Sequence, residues 1–274
     1  MNVFKIIFRS AYRKALKPLY RRFNEIDEEI KYISNFVPLY LEYKNKNSNK
    51  RENVIYTCIA GNYDELRQHA YINFDYDYIC FTDNEKLLKF EEFGIWKIRP
   101  LEYTKLDNAR NNRWHKTHPH IILPNYNKSI YVDANINIIS DYLFSVLEME
   151  NKHKIKIPVH PDKNCIYREI KTVLKFKRDT KEAVEKVNKL LKNENFPKNY
   201  GLNENCVIYR EHNDEKVIKI MNSWWEMIEH YSRRDQLSLS YILWKNGIRP
   251  EDIGIPNTRT SINNVSYKCY QHKR

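Results

Sequence analysis

The chain has 274 residues, of which 42% are apolar and 30% are charged, so it is long enough to bury a sizeable core. No run approaches the roughly 20 apolar residues that cross a bilayer. The apolar start at residues 4–8 is too short for a secretory signal, and five scattered cysteines without a CxxC pair indicate reduced thiols, so we expect a cytoplasmic protein. The net charge of +12 predicts an anionic partner: phosphorylated substrates, a membrane surface or a polyanion.

The amino-terminal segment carries much of this positive charge. Residues 1–23 are rich in Lys and Arg and contain no acid, and their apolar residues recur at helical spacing, although Pro18 interrupts a regular helix. The pattern fits an amphipathic helix lying on an anionic membrane, and it equally fits a basic helix packed on the protein body or on a partner chain. A polar run at 44–53 indicates a linker. We therefore predict a basic helical extension with its linker over 1–50 and a globular domain over 51–274.

Strand and helix patterns alternate through the rest of the chain. Apolar runs predict strands at 53–60, 76–83, 94–100, 129–132, 154–161 and 205–213. Helical patterns fall at 105–122, 140–149, 165–195, 214–232 and 234–246. Strands separated by helices predict an α/β fold with a mostly parallel sheet flanked by helices.

Polar residues follow several of the predicted strands. Ligands of open α/β sheets gather at the carboxyl ends of strands, where Asp64, Asp83, Asp133 and Asn135 stand in this sequence. The chain has only five glycines and lacks both GxGxxG and GxxxxGK[ST], which makes a dinucleotide-binding dehydrogenase or a P-loop NTPase a poor fit.

The triplet Asp133-Ala134-Asn135 directly follows the strand at 129–132. Two oxygen ligands one residue apart suit a hard divalent ion that bridges a diphosphate, although the same triplet also forms plain turns. Upstream, Arg110, Arg113 and Lys116 are spaced to lie along one helix face, which could meet a diphosphate held near Asp133.

Six segments in order resemble a family of glycosyltransferases with the GT-A (Rossmann-like) fold. The family includes bacterial surface-polysaccharide enzymes and plant mucilage-related proteins (domain of unknown function 616 type), and it is more distantly similar to glycosyltransferase family 8. The segments are VIYTCIAGNYDEL (54–66), YICFTDN (78–84), RNNRWHKTHPHIILPNYNKSIYVDANI (110–136), VHPDKNCIYREI (159–170), GLNENCVIYREHN (201–213) and WWEMIEHYSRRDQLSLSYILWK (224–245).

The resemblance implies roles for residues on the donor side. The loop after the first strand would hold the base and ribose of the nucleotide, and the end of the second strand would hold the base. The basic helix would face the diphosphate, and the triplet would bind Mn²⁺ or Mg²⁺, with Asn replacing a second Asp. The residues that match are Thr57, Ala60, Gly61, Tyr63, Asp83, Arg110, Arg113, Lys116, Asp133 and Asn135.

The resemblance also implies residues on the acceptor side and late in the chain. Asp235, which begins an Asp-Gln pair, would act beside Asp133 in catalysis by accepting a proton or stabilising a cationic sugar. An alternative role for Asp235 is to cap a helix that begins at residue 236. His272 could complete the metal site as a late histidine does in family 8, or lie in a solvated tail. His160 and His212 could line the acceptor cleft or have structural roles.

These observations predict a metal-dependent glycosyltransferase that uses a nucleotide-sugar, most simply a UDP-sugar. Its acceptor would be a hydroxyl of a cell-surface glycan such as capsule or lipopolysaccharide, and its basic extension would hold it peripherally at the inner membrane face. Two alternatives stay open: a non-catalytic basic module that binds polyanions, and an inactive glycosyltransferase-like scaffold. No recognised nucleic-acid motif is present, so we expect no nucleic-acid partner.

Overall fold

The computed structural model describes residues 36–46, 51–256 and 265–272, and these residues form a mixed α/β fold. Eight strands make the main sheet in the order β3-β4-β2-β1-β5-β8-β7-β9, and β6 and β10 pair in a small antiparallel sheet. In chain order the strands are β1 (Asn53–Ile59), β2 (Tyr76–Thr82), β3 (Glu92–Phe93), β4 (Trp96–Pro100), β5 (Lys128–Val132), β6 (Ile136–Ile138), β7 (Ile155–Pro158), β8 (Val207–Arg210), β9 (Gly254–Ile255) and β10 (Tyr267–Cys269).

Most strands of the main sheet run in one direction. Strands β2, β4 and β5 run parallel to β1, whereas β3 and β8 run antiparallel to their neighbours. Strand β7 is antiparallel to β8 and therefore shares the direction of β5, and β9 is parallel to β7. The prediction of an α/β fold with a mostly parallel sheet flanked by helices is confirmed.

The helices cover both faces of the main sheet. They are α1 (36–45), α2 (Asn108–Thr117), α3 (Pro119–Ile122), α4 (Tyr142–Leu147), α5 (Ile166–Lys175), α6 (Lys181–Asn193), α7 (Glu215–His230) and α8 (Leu239–Lys245). The predicted helix at 105–122 is two helices, because Pro119 begins α3 after the chain leaves helical geometry at His118. The predicted helix at 165–195 is also interrupted, between α5 and α6.

The buried central strands supply a core on each side of the sheet. In β1, Val54 and Tyr56 pack into one apolar cluster, and Ile55 and Ile59 pack into the other, as expected when successive side chains point to opposite faces. Every residue of β2 is buried, which explains its nearly continuous apolar sequence. This rigid layer fixes where the carboxyl ends of β1 and β5 present their polar residues.

The predicted extension over 1–50 lies mostly outside the described residues, including the basic segment 1–23. Its described part, 36–46, contacts the body of the protein through Tyr43, whose ring meets Tyr78 edge-on with centroids 5.6 Å apart and whose hydroxyl donates to the carbonyl oxygen of Tyr76 at 3.3 Å. The boundary at residue 51 stays a prediction. Across the described ranges, no helix combines the length and apolar character needed to span a membrane.

Candidate functional site

A cleft of about 710 Å³ opens where β1 and β5 end. Helix α2 forms one wall, and the small sheet of β6 and β10 forms part of another. Among the residues that line it are these predicted site residues: Ala60, Tyr63, Arg113, Lys116, Asp133, Asn135, Asp235 and His272. His160 lines the cleft as well, whereas the His212 side chain is buried elsewhere and contacts the carbonyl oxygen of Leu123.

Three other predicted residues belong to the framework of the cleft. Thr57 is fully buried within β1. The backbone N–H of Gly61 donates to both carboxylate oxygens of Asp83 at 2.9 Å, so the loop after β1 is tied to the end of β2. Gly61 has a φ of 65°, and a Cβ at this position would lie 1.9 Å from Nδ2 of Asn108. Glycine is favoured at this point, because a side chain would be strained and would displace Asn108.

Arg110 does not line the cleft. Asp107 begins α2 by accepting the backbone N–H groups of Ala109 and Arg110 at 3.1 and 3.2 Å, and it pairs with Nη1 of Arg110 at 2.6 Å. The Arg110 Nε donates to the carbonyl oxygen of Ile228 at 3.0 Å. Of the three basic residues on the predicted helix face, the structure therefore brings only Arg113 and Lys116 into the cleft.

A buried ion-pair cluster joins α2 to the segment before α8. The Lys116 ammonium lies 2.7 Å from Oδ2 of Asp235 and 3.6 Å from Oδ1 of Asp133, and it is 4.9 Å from the centre of the Tyr131 ring. Nε of Arg113 lies 3.3 Å from the same oxygen of Asp235. Two cations are thus fixed at the end of β5, where the triplet begins.

The surrounding charges determine the ionisation of Asp235. Burial alone would raise the pKa of this carboxyl, but Arg113, Lys116 and Arg234 outweigh burial and hold its pKa well below the usual range. Asp235 is therefore ionised at neutral pH. It does not cap the helix predicted to begin at residue 236, because it lies in a short 3₁₀ turn and α8 begins at Leu239.

Lys116 is positioned through the backbone at the end of α2. Its carbonyl oxygen accepts hydrogen bonds from Nη1 of Arg210 at 2.8 Å and from the Tyr56 hydroxyl at 3.0 Å. Arg210 is completely buried and also contacts the Tyr56 hydroxyl. A cation at a helix carboxyl terminus interacts favourably with the helix dipole. Two core side chains therefore hold the last turn of α2 in place beneath the cleft.

The Asp133–Asn135 triplet forms a turn that keeps one oxygen free. The Ile136 N–H donates to the Asp133 carbonyl at 2.9 Å, so the turn interpretation describes the backbone. Nδ2 of Asn135 donates to the Tyr270 carbonyl at 2.7 Å, which fixes the amide, while its buried Oδ1 has no hydrogen-bond partner in the described chain. A buried amide oxygen without a partner beside a carboxylate fits a hard divalent cation.

His272 lies in the cleft next to the loop after β1. Its Nδ1 is 2.9 Å from Oδ2 of Asp64, and its ring centre is 5.0 Å from that of Tyr63. The hydrogen bond to Asp64 raises the pKa of His272, and Asp133 contributes to this shift. Nε2 is then the ring nitrogen that a metal could use. The described ranges contain no cluster of three His, Cys, Asp or Glu side chains that could hold a metal, so a metal here would need the Asn135 oxygen too.

Other cleft residues were not predicted from the sequence. Asn205 is 4% exposed, and neither its amide nitrogen nor its amide oxygen has a hydrogen-bond partner in the described chain. Lys163, Arg178 and Arg234 also line the cleft. Asn205 lies within the segment 201–213, but its position there did not distinguish it from Asn203, and the three basic residues carried no motif.

Comparisons with known proteins agree with the resemblance seen in the sequence. A family model described as TOD1/MUCI70, glycosyltransferase-like domain, matches residues 41–255. Among solved structures, one titled WbbM bifunctional glycosyltransferase, apo structure, is similar with a TM-score of 0.46 and 10% identity, over 78% of this chain and 40% of that chain. The chain thus spans less than half the length of that protein. No curated protein matches this chain.

Proposed function

The chain belongs to the TOD1/MUCI70 glycosyltransferase-like domain family, and from this premise we propose that it transfers a sugar from a nucleotide diphosphate to a glycan hydroxyl. The proposed donor is a UDP-sugar, and the proposed acceptor is a cell-surface glycan. The observation that carries the proposal is that Lys116 lies beside Asp133 at the end of β5, with Arg113 beside Asp235 in the same cluster. Two fixed cations in a cleft at the carboxyl end of a sheet suit a diphosphate leaving group.

We also propose that a divalent ion binds beside Asp133. Mn²⁺ or Mg²⁺ would be held by the Asp133 carboxylate, by Oδ1 of Asn135 and by His272. Such an ion, when bound, neutralises charge on the departing diphosphate. Arg113 and Lys116 supply positive charge at this position independently of any metal.

Asp235 is proposed to act through its charge. A carboxylate with a strongly depressed pKa is a weak base. Asp235 is therefore better suited to stabilising positive charge than to removing a proton from the acceptor. In this role Asp235 fixes Lys116 and Arg113 and stabilises positive charge that develops on the transferred sugar.

The nucleoside and the sugar are assigned to different parts of the cleft. Ala60 and Tyr63 lie on the loop that would receive base and ribose, and the Asp83–Gly61 hydrogen bonds hold that loop, with Thr57 beneath it. The unpaired amide of Asn205 can donate to one sugar hydroxyl and accept from another. The basic segment 1–23 would bring the enzyme to an anionic membrane surface, where lipid-linked acceptors are found.

A panel assay on the full chain tests this proposal. UDP-sugars are supplied with Mn²⁺, and release of UDP is measured with and without membrane glycan acceptors, using Asp133→Asn as the matched variant. We expect at least one UDP-sugar to be turned over by the native chain and not by Asp133→Asn. If UDP-sugars bind but none is turned over with any acceptor, the chain is an inactive scaffold. If no UDP-sugar binds, the donor assignment is wrong.

A further inference from the structure

We propose that the part of the cleft lined by Arg178 and Arg234, here called the arginine pair, is an acceptor subsite that binds an anionic group. This proposal rests on the proposed function and adds the chemical class of the acceptor: a glycan that bears a carboxylate or a phosphate. The arginine pair comes from different chain segments than Asp133 and Lys116. Both arginines line the same cleft as Asp133 and Lys116, and Arg234 directly precedes Asp235 in the sequence.

The end of α5 sets the position of Arg178. The Lys177 N–H donates to the Leu174 carbonyl at 3.2 Å, and the Arg178 N–H donates to the Val173 carbonyl at 3.0 Å. These two bonds form a Schellman motif, and Lys177 occupies its left-handed position with a φ of 50°. Glycine is usual at this position, so a lysine here accepts backbone strain. The chain reverses at this point, and the Arg178 side chain then lines the cleft.

A second contact holds this turn against the segment before Asp235. The buried Asp179 carboxylate accepts the Ser232 hydroxyl at 2.6 Å and pairs with Nε of Arg233 at 3.3 Å. In the sequence, Arg178 directly precedes Asp179, and Arg234 directly follows Arg233. The contact brings the backbone segments of the two arginines together, and both arginines line the cleft.

Among the described residues, the arginine pair lacks the close ion pairs that other cations in the cleft make. Lys163 pairs with the buried Glu169, and Lys116 and Arg113 pair with Asp235. In the described part of the chain, neither arginine makes an ion pair, and the buried Nε of Arg234 has no hydrogen-bond partner. Burial lowers the pKa of Arg234, and the nearby Arg113 and Arg178 add to this, whereas the carboxylates of Asp235 and Glu169 oppose it. A bound anion would relieve this unfavourable concentration of positive charge.

An exposed aromatic ring, outside the residues that line the cleft, lies next to Arg178. Phe176 is 60% exposed, and the Arg178 guanidinium lies 5.5 Å from its ring centre. A large apolar ring left in water beside a cation offers a surface for the apolar face of a sugar ring. These properties fit a sugar that carries an acidic substituent better than they fit a neutral sugar.

Direct titration tests the proposal without requiring turnover. The full chain, with and without UDP, is titrated with a hyaluronan tetrasaccharide, with glycerol 3-phosphate and with neutral chitotetraose. The variants are Arg178→Gln and, as the matched control, Arg168→Gln, which changes an exposed arginine of α5 outside the cleft lining. We expect at least one acidic probe to bind, chitotetraose to bind more weakly, and Arg178→Gln to weaken acidic binding roughly tenfold, as loss of a charge-assisted hydrogen bond does. Arg168→Gln should leave binding unchanged.

Each other outcome has a defined meaning. Binding of the tetrasaccharide identifies a carboxylate as the source of the charge, and binding of glycerol 3-phosphate alone identifies a phosphate. Failure of both acidic probes, equal binding of chitotetraose, or equal loss in both variants overturns the proposal. Binding to phosphatidylglycerol vesicles is measured with the same variants. If Arg178→Gln weakens vesicle binding but not binding of the acidic probes, Arg178 contacts a membrane and the proposal is overturned. UDP titration of the same samples reports separately on the donor site.

Discussion

Asp235 illustrates how one residue serves both folding and the proposed chemistry. Its carboxylate is buried against Lys116 and Arg113, so removal of the charge leaves two buried cations without their main partner. Those same cations are assigned to the diphosphate, so stability and donor binding should respond differently to its removal.

We predict that Asp235→Asn lowers the free energy of unfolding by about 3 kcal/mol, because one partner of a buried ion pair is lost. The affinity for UDP should not fall, since both cations remain and are less neutralised. Because the pKa of Asp235 is depressed in the folded protein, the difference in the free energy of unfolding between the native chain and Asp235→Asn is fully present above the pKa of an unfolded aspartate, about 3.9. The difference shrinks as the pH falls through the pKa of folded Asp235. Urea unfolding and calorimetric titration check this. Unchanged stability, or a tenfold loss of UDP affinity, would contradict it.

Asn203 and Asn205 offer a matched comparison two residues apart. Nδ2 of Asn203 donates to the carbonyl oxygens of Ile157 and Pro250 at 3.4 and 3.2 Å, whereas the Asn205 amide has no partner in the described chain. We predict that Asn203→Ala destabilises the fold by about 1 kcal/mol, while Asn205→Ala leaves stability unchanged or higher and reduces sugar transfer. Thermal unfolding and transfer assays separate the two. A loss of stability in Asn205→Ala with full activity would refute the assignment.

The His272–Asp64 pair makes a pH-dependent contribution. Because the pKa of His272 is raised, its stabilisation is fully present below the unfolded value of about 6.5 and is lost as pH rises through the folded value. Asp64→Asn should return the His272 pKa toward its ordinary range. NMR titration of the imidazole measures the His272 pKa. The difference in the free energy of unfolding between the native chain and Asp64→Asn should decrease from pH 6 to pH 9. An unshifted His272 pKa in the native chain would show that the contact does not form.

At the scale of elements, the carboxyl-terminal strand is part of the proposed metal site. Besides the Asn135 side-chain contact, the Tyr270 N–H donates to the Asn135 carbonyl at 3.0 Å, next to the pairing of β6 with β10. Asn135, the proposed metal ligand, therefore also holds the segment after β10 beside the cleft.

We predict that Asn135→Asp has two opposite effects. It replaces the donor to the Tyr270 carbonyl by a repelling oxygen, which should lower metal-free stability by about 1–3 kcal/mol. It also supplies a carboxylate, which should tighten Mn²⁺ binding. Urea unfolding without metal and a Mn²⁺ titration measure the two effects. If neither property changes, Asn135 has neither role.

The sequence predicted local features of these elements more successfully than their distant contacts. Apolar runs ending in polar residues located β1, β2 and β5, and helical spacing brought Arg113 and Lys116 to one face. The pairing of Lys116 with Asp235 joins residues 119 positions apart, and no local pattern indicates it. The break between α5 and α6 was missed because a lysine occupies the left-handed turn position where glycine is the usual signal. Nothing in the sequence therefore distinguished Arg178 from the other charged residues of the helix predicted at 165–195.

In the whole molecule, the cleft at the ends of β1 and β5 is the proposed binding site for a nucleotide diphosphate. Helix α2 provides a test, because Arg113 lines this cleft and Arg110, one turn earlier, does not. Exchange of either arginine for methionine removes one positive charge from the same helix, so a general effect of net charge would weaken UDP binding equally in both variants.

Calorimetric titration of UDP in the presence of Mn²⁺ into the native chain, Arg113→Met and Arg110→Met tests whether this cleft binds the diphosphate. We predict that the native chain binds UDP at a single site, that Arg113→Met binds roughly tenfold more weakly, and that Arg110→Met binds like the native chain. Absence of UDP binding by the folded native chain, or equal affinities for all three proteins, would contradict the account.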